Sequence, residues 1–190
     1  MARTTSTLLL VAGLGLGLGL GAPAWALEIA GVAVPQALVV GGRPLQLNGA
    51  GLRSRLFVKV YVGALYLEQR CVDAPAILAA EAPWAVTLVF RRDVDHDRIL
   101  DAFVAAFEQN SPGQLERLKP QLEVFHAVLR DLHAGEALTI HYLPGAGTTL
   151  TVPGGATALV PGRPFAEAVL RSWIGDHPTD ASLKEALLGR

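Results

Sequence analysis

The chain has 190 residues, of which 51% are hydrophobic, and its 16 basic and 17 acidic side chains give a formal net charge of −1. This near-neutral balance without a basic stripe argues against nucleic acid as a partner. The lone Cys71 excludes an internal disulfide and zinc sites built from cysteine pairs.

The first 26 residues have the pattern of a signal peptide. Arg3 supplies a positive charge, residues 8–21 form an apolar run, and Ala24-Trp25-Ala26 fits the small-x-small cleavage pattern. The run is short and rich in glycine, so we expect cleavage and no stable membrane span, with an uncleaved anchor as the alternative. We therefore expect residues 27–190 to form one periplasmic or secreted domain.

Strand patterns dominate the first half of this domain. The clearest is residues 56–67, whose period-two pattern places Phe57, Lys59 and Tyr61 on one face and alternate valines on the other. Further strands are predicted at 32–47 with breaks at Pro35 and 41–44, at 84–90, at 137–143, at 148–152 and at 156–160. Helices are predicted at 74–80 behind Asp73, from Asp93 or Asp95 to Asn110, from Leu115 through Leu132 to Gly135, at 165–174, and from Asp180.

The order of strands, helices, strands and helices lacks a regular βαβ alternation. It indicates an α+β domain in which helices cover one face of a mostly antiparallel sheet. A boundary between sheet and helices of this kind can enclose an apolar cleft with a few polar groups.

Arg53 is the first candidate for a site in such a cleft. It follows Gly49-Ala50-Gly51, where small residues allow close approach of a ligand or of another chain segment. Its planar guanidinium matches a carboxylate, although a solvated arginine beside a turn remains the alternative. Tyr61 is the second candidate, against the common alternative of a half-buried strand tyrosine with a satisfied hydroxyl.

Other motifs do not indicate catalysis or a cofactor. Residues 90–98 contain three acids beside His96, but at a strand-to-helix junction capping and surface ion pairs account for them better than a metal does. The histidines lack metal-binding spacing, the GLGLGLG string lacks the context of a nucleotide loop, and no Gly-x-Ser-x-Gly motif occurs. We expect no metal and no cofactor.

Two segments resemble a known family. Residues 49–68, GAGLRSRLFVKVYVGALYLE, are similar to the segment of chalcone isomerases that runs Gly-Ala-Gly-Val-Arg, a hairpin, Phe-Val-Lys-Phe-Thr and Gly-x-Tyr-Leu-Glu. Residues 165–175, FAEAVLRSWIG, resemble that family's C-terminal helix. The resemblance covers nearly all of residues 27–190 and implies an open-faced β-sandwich, with a ligand cleft between a large antiparallel sheet and its helices.

The resemblance also assigns residues. It implies that Arg53 corresponds to the arginine that holds the substrate oxyanion in the plant enzymes, while Tyr61 replaces their catalytic threonine. On the cleft helix, Phe103 replaces a tyrosine and Asn110 corresponds to an asparagine. Ala166 replaces a hydroxyl residue. Phenylalanine cannot donate a hydrogen bond, so the polar set of the enzymes is depleted here.

The non-catalytic, fatty-acid-binding relatives of chalcone isomerase carry Lys-Val-Tyr where this chain has Lys59-Val60-Tyr61. Their arginine–tyrosine pair holds the carboxylate of the fatty acid. The resemblance therefore favours a cofactor-free periplasmic protein that binds a fatty acid or small apolar carboxylate through Arg53, Tyr61, Asn110 and Phe103, and favours no enzymatic activity. Two alternatives remain: an isomerase or intramolecular lyase with Arg53 as oxyanion stabiliser, and an interaction module of an envelope complex with an unspecified protein partner.

Overall fold

The computed structural model describes residues 26–190. Strands and helices follow in this order: β1 Leu27–Ile29, β2 Val32–Val34, β3 Ala37–Val40, β4 Arg43–Arg55, β5 Val58–Leu67, α1 Ala74–Ala79, β6 Trp84–Phe90, α2 His96–Asn110, α3 Leu115–His126, β7 Ala137–Leu143, β8 Gly147–Thr151, β9 Thr157–Val160, α4 Arg163–Ile174 and α5 Ala181–Leu187. The predicted signal peptide lies outside the described residues, apart from Ala26. Among residues 26–190, no helix is long and apolar enough to cross a bilayer.

The main sheet has seven strands in the order β3-β4-β5-β6-β7-β8-β9, and every neighbouring pair is antiparallel. Helices α2 and α3 are inserted between β6 and β7, while α4 and α5 follow β9. The α+β class predicted from the order of elements is confirmed.

The two faces of the sheet are covered differently. On one face, the five helices bury a large apolar core that includes Phe107, Phe125 and Phe165, each almost fully excluded from solvent. On the other face, the β1–β2 hairpin covers a smaller core through Val32 and Val34. The helical face therefore holds most of the buried apolar surface, and the candidate site residues Tyr61 and Phe103 belong to it.

The Gly-Ala-Gly segment lies inside β4, and its small residues accommodate α5. A Cβ atom at Gly49 would lie 2.1 Å from the carbonyl oxygen of Ala186, and one at Gly51 would lie 2.6 Å from the Ala186 Cβ. Asn48, on the adjacent bulge, donates to the carbonyl of Leu187 at 2.8 Å and fastens the same helix. The small residues were expected to allow close approach of a ligand or of another chain segment, and in the structure they accommodate the chain segment α5.

The predicted strand over 56–67 is corrected at its start. Leu56 and Phe57 form a two-residue turn between β4 and β5, with φ angles of +47° and +67°. A register shift beside Arg53 and Ser54 then leaves Val60 as an extra residue in β5, so the period-two alternation is broken there. As a result Val60 packs against the same core as Tyr61, instead of facing the other side.

The third helix is shorter than predicted. It ends at His126, and the continuation of its apolar stripe to Leu132 lies in an irregular segment. Leu132 exchanges two backbone hydrogen bonds with Val94, of 2.8 and 2.9 Å, which removes it from a helical ladder. Asp95, one of the two predicted caps, occupies the N-cap position of α2, but its side chain makes no capping hydrogen bond. Instead, the carboxylate of Asp131 accepts the His96 N–H at 2.9 Å.

Candidate functional site

Arg53 and Tyr61 lie directly opposite each other on β4 and β5. The guanidinium carbon of Arg53 is 5.5 Å from the centroid of the Tyr61 ring, a cation–π arrangement. The Nε atom of Arg53 is buried and has no hydrogen-bond partner within residues 26–190. Because a buried donor without a partner is costly, this atom marks a place where an acceptor would be bound favourably.

The hydroxyl of Tyr61 is oriented by helix α4. The indole Nε1–H of Trp173 donates to the phenol oxygen at 3.0 Å. An indole can only donate, so the phenol keeps its own proton for a second partner. Burial raises the pKa of Tyr61 above its ordinary value, and the positive charge of Arg53 is the largest opposing influence. The phenol is therefore protonated near neutral pH and acts as a donor.

These groups face a small apolar cavity of about 80 Å³ between the sheet and the helices. Its lining consists of Arg53, Val60, Tyr61, Leu88, Phe90, Val94, Arg98, Ile99, Ala102, Phe103, Ser172, Trp173 and Thr179. The Thr179 hydroxyl is also buried, and it lies close enough to the phenol to oppose the rise in the pKa of Tyr61. An unpaired guanidinium nitrogen, a phenol donor and a threonine hydroxyl thus line one apolar chamber.

A larger groove of about 510 Å³ adjoins the cavity. Arg53, Val60 and Ala102 line both spaces, and the groove continues to Leu56 and Val58 at the turn between β4 and β5. Pockets that enclose drug-sized ligands usually have volumes of about 300–1,000 Å³. The inner cavity alone therefore has room for a polar head group, and a longer molecule would extend into the groove.

Comparison with known proteins identifies the family. The sequence profile described as chalcone isomerase-like matches residues 26–189, which is nearly the whole described chain. The chain belongs to the chalcone isomerase-like family. No curated protein sequence matches it.

Among solved structures, the chain is similar to the fatty-acid binding protein AtFAP1 of Arabidopsis thaliana. The TM-score is 0.60 at 16% sequence identity, and the match covers 83% of this chain and 92% of that one. At this identity the likeness concerns the fold, and it confirms the open-faced, helix-covered antiparallel sheet that the resemblance implied.

Of the four site residues that the family resemblance implied, the structure brings three together. Arg53, Tyr61 and Phe103 line the cavity, whereas Asn110 does not. The Asn110 amide donates to the carbonyls of Ala106 at 3.0 Å and His177 at 2.7 Å, and its oxygen accepts the His177 N–H at 2.9 Å. Its polar atoms are therefore engaged in holding the loop after α4 against the end of α2.

Phe103 and Ala166 occupy apolar surroundings where the chalcone isomerase enzymes carry hydroxyl groups. Phe103 is 5% exposed and contacts Trp173 edge-to-face, with ring centroids 6.0 Å apart. Ala166 is fully buried in the main core and does not line the cavity. Neither residue can place a hydrogen bond at a ligand, so the donors here come from other positions.

Sequence reasoning missed Trp173 and Thr179. Trp173 lies in the family-like C-terminal helix, directly before its last residue, and an indole in that motif was a usable signal. Thr179 stands in the loop between α4 and α5, where no sequence pattern distinguishes it from other loop threonines. Trp173 reaches the site because α4 packs against α2 and β8 on the helical face, and Thr179 follows in the loop after that helix.

The charge cluster at the start of α2 forms ion pairs. His96 Nδ1 lies 2.8 Å from Asp131, and the hydrogen bond to this carboxylate is the main reason that the pKa of His96 is raised. His96, Asp97 and His126 present potential ligand atoms within 4.8 Å of one another. Both imidazoles lie beside carboxylates at ion-pair distance, which explains why these groups are close together without a metal ion. The absence of a metal stays a prediction.

Proposed function

We propose that this protein binds a small apolar carboxylic acid or a fatty acid without transforming it, in the periplasm or outside the cell. The carboxylate would accept hydrogen bonds from Arg53 and from the phenol of Tyr61. The observation that carries the proposal is the buried, unpaired Arg53 Nε beside a protonated phenol in an apolar cavity. A carboxylate oxygen there would satisfy the guanidinium by a charge-assisted hydrogen bond.

The dimensions support a head-group site with the tail outside it. The cavity of about 80 Å³ suits a carboxylate and the first carbons of a chain. The remaining carbons would follow the groove of about 510 Å³ past Val60 and Ala102. The kinship in fold with a fatty-acid binding protein is consistent with this arrangement, although one fold can host unrelated functions.

Native mass spectrometry of protein purified without its first 26 residues tests the proposal. Wild-type protein should carry a bound acid or take up added octanoate, and Arg53→Ala should not. Arg117→Ala is a matched control, since Arg117 is an exposed arginine on α3. An absence of acid binding by the wild type, or equal binding by Arg53→Ala, would refute the proposal.

The same two donors favour one alternative, an isomerase that stabilises an enolate or phenolate. The titratable residues in the cavity lining are Arg53, Tyr61 and Arg98, with no carboxylate or imidazole among them. Proton abstraction from a bound substrate therefore lacks a carboxylate or imidazole base in the lining, whereas a two-ring substrate would extend into the groove as a long acid would. Turnover of chalcones above the uncatalysed rate that disappears in Arg53→Ala would establish this alternative instead.

A further inference from the structure

The turn between β4 and β5 has an unexpected composition. Leu56 and Phe57 occupy its two central positions with φ angles of +47° and +67°. Two-residue hairpin turns of this geometry favour Asn-Gly, because bulky side chains are strained at positive φ. Turn stability alone does not explain a leucine followed by a phenylalanine, and strain of this kind is found where function requires it.

The side chains at this turn project largely into solvent. Leu56 is 85% exposed, Phe57 is 103% exposed and Val58 is 44% exposed. We call these three residues the hairpin tip. Neighbouring apolar side chains that project together into solvent are typical of surfaces that bind something else.

The surroundings of the hairpin tip are basic, in a chain that is acidic overall. Residues 26–190 have 15 basic side chains, the 16 of the chain less Arg3, against 17 acids, which gives −2. The exposed cations beside the tip are Arg55 and Lys59, which flank it in sequence, and Arg92, which lines the same groove as Leu56 and Val58. Of the adjacent acids, Asp95 pairs with Arg98 at 3.2 Å, and the Asp93 carboxylate accepts the Ala134 N–H at 3.0 Å.

We propose that the hairpin tip inserts into an anionic lipid surface. The apolar side chains of Leu56 and Phe57 would enter the boundary between head groups and acyl chains. The surrounding cations would contact the anionic head groups. Apolar insertion combined with basic residues is the combination by which peripheral proteins hold to such membranes.

Docking in this way would place the groove at the membrane. Leu56 and Val58 line its outer end, while Val60 and Arg53 line its inner end. An acid leaving the bilayer could then reach Arg53 without crossing bulk water. This last step rests on the proposed function, whereas membrane docking does not, and vesicle binding measures docking alone.

Sedimentation with lipid vesicles tests the inference, using protein without its first 26 residues. Vesicles of phosphatidylcholine alone are compared with vesicles that also contain phosphatidylglycerol. Wild-type protein should sediment with the anionic vesicles, and Arg55→Gln/Lys59→Gln should do so less. Leu56→Asn/Phe57→Gly should weaken the binding by roughly tenfold or more per side chain removed.

Three further measurements separate a loss of insertion from misfolding and from a general loss of apolar surface. The Asn-Gly double variant suits the turn, so it should resist urea at least as well as the wild type. Val39→Thr removes an apolar side chain on β3 that is 74% exposed and should leave vesicle binding unchanged. Phe57→Trp should keep the binding.

The inference would be overturned by no sedimentation of wild-type protein with anionic vesicles, by equal sedimentation of the Asn-Gly variant, or by equal binding to neutral and anionic lipid. Self-association that depends on Phe57, without vesicle binding, would identify a second copy of the chain as the occupant and would also overturn it. Light scattering of wild type and Phe57→Gly distinguishes that case.

Discussion

Replacement of Arg53 by methionine separates a ligand-binding role from a structural one. Methionine keeps an unbranched stem against Tyr61 but removes the guanidinium with its buried Nε. A hydrogen bond to a charged group contributes about 1.5–3 kcal/mol. Loss of the contact between Arg53 and a carboxylate should therefore weaken acid binding roughly 10- to 150-fold.

The free energy of unfolding of the unliganded protein should not fall. An unpaired buried donor costs the folded state about 1–3 kcal/mol. The cation–π contact, with the guanidinium carbon 5.5 Å from the ring centroid, opposes this by about 0.5–1 kcal/mol at a partly exposed site. From this difference, the free energy of unfolding of Arg53→Met should lie between that of the wild type and a value about 2.5 kcal/mol higher.

Urea unfolding followed by circular dichroism gives the stability, and calorimetric titration with octanoate gives the affinity. Arg117→Met is the matched control and should change neither quantity, because Arg117 is exposed on α3. A destabilised Arg53→Met protein that still binds octanoate like the wild type would refute the reasoning, since the guanidinium would then be a structural group.

Three further predictions follow from the same contacts. Tyr61→Phe leaves the indole N–H of α4 without its acceptor and should cost about 1–3 kcal/mol in urea unfolding, with weaker octanoate binding. Gly49→Ala puts a Cβ 2.1 Å from a carbonyl oxygen of α5, so it should cost at least about 1–3 kcal/mol. Gly42→Ala should cost less, because its Cβ meets nothing within 4 Å and only the positive φ of +77° strains it. Because the hydrogen bond to Asp131 raises the pKa of His96, the stability that this bond supplies is present below the ordinary histidine pKa and is lost as pH rises through the raised value. An NMR titration should show the raised pKa of His96, and Asp131→Asn should return it toward its ordinary value.

The sequence indicated the strands and the helical face well, but it misplaced the turn that positions the site. Leu56 and Phe57 favour a strand by every local measure, because neither is a turn residue. The hairpin nevertheless closes there, and the extra residue Val60 then changes which side chains share a face. Local patterns cannot reveal such a bulge, since it depends on pairing with β4 and β6.

The chemistry of the site was predictable only in part. Arg53 and Tyr61 could be selected from residue type and family resemblance, and they prove to be opposite each other across two strands. Trp173 and Thr179 reach the same cavity from sequence positions more than 100 residues away, through the packing of α4. Asn110 matched the family pattern, but its hydrogen bonds are used by the loop at His177.

The combination of a small cavity and an open groove limits how this protein can select its ligand. A methylene group that is fully removed from water contributes about 0.8 kcal/mol. Beyond the cavity of about 80 Å³, the carbons of a tail would lie in a groove also bordered by the charged side chains of Arg92 and Arg98. Each added methylene should then contribute less than this value, and affinity should depend mainly on the head group. A slope near the full value across a series of chain lengths would instead require α2, which carries Ala102 and Phe103, to move away from the sheet and enclose the tail.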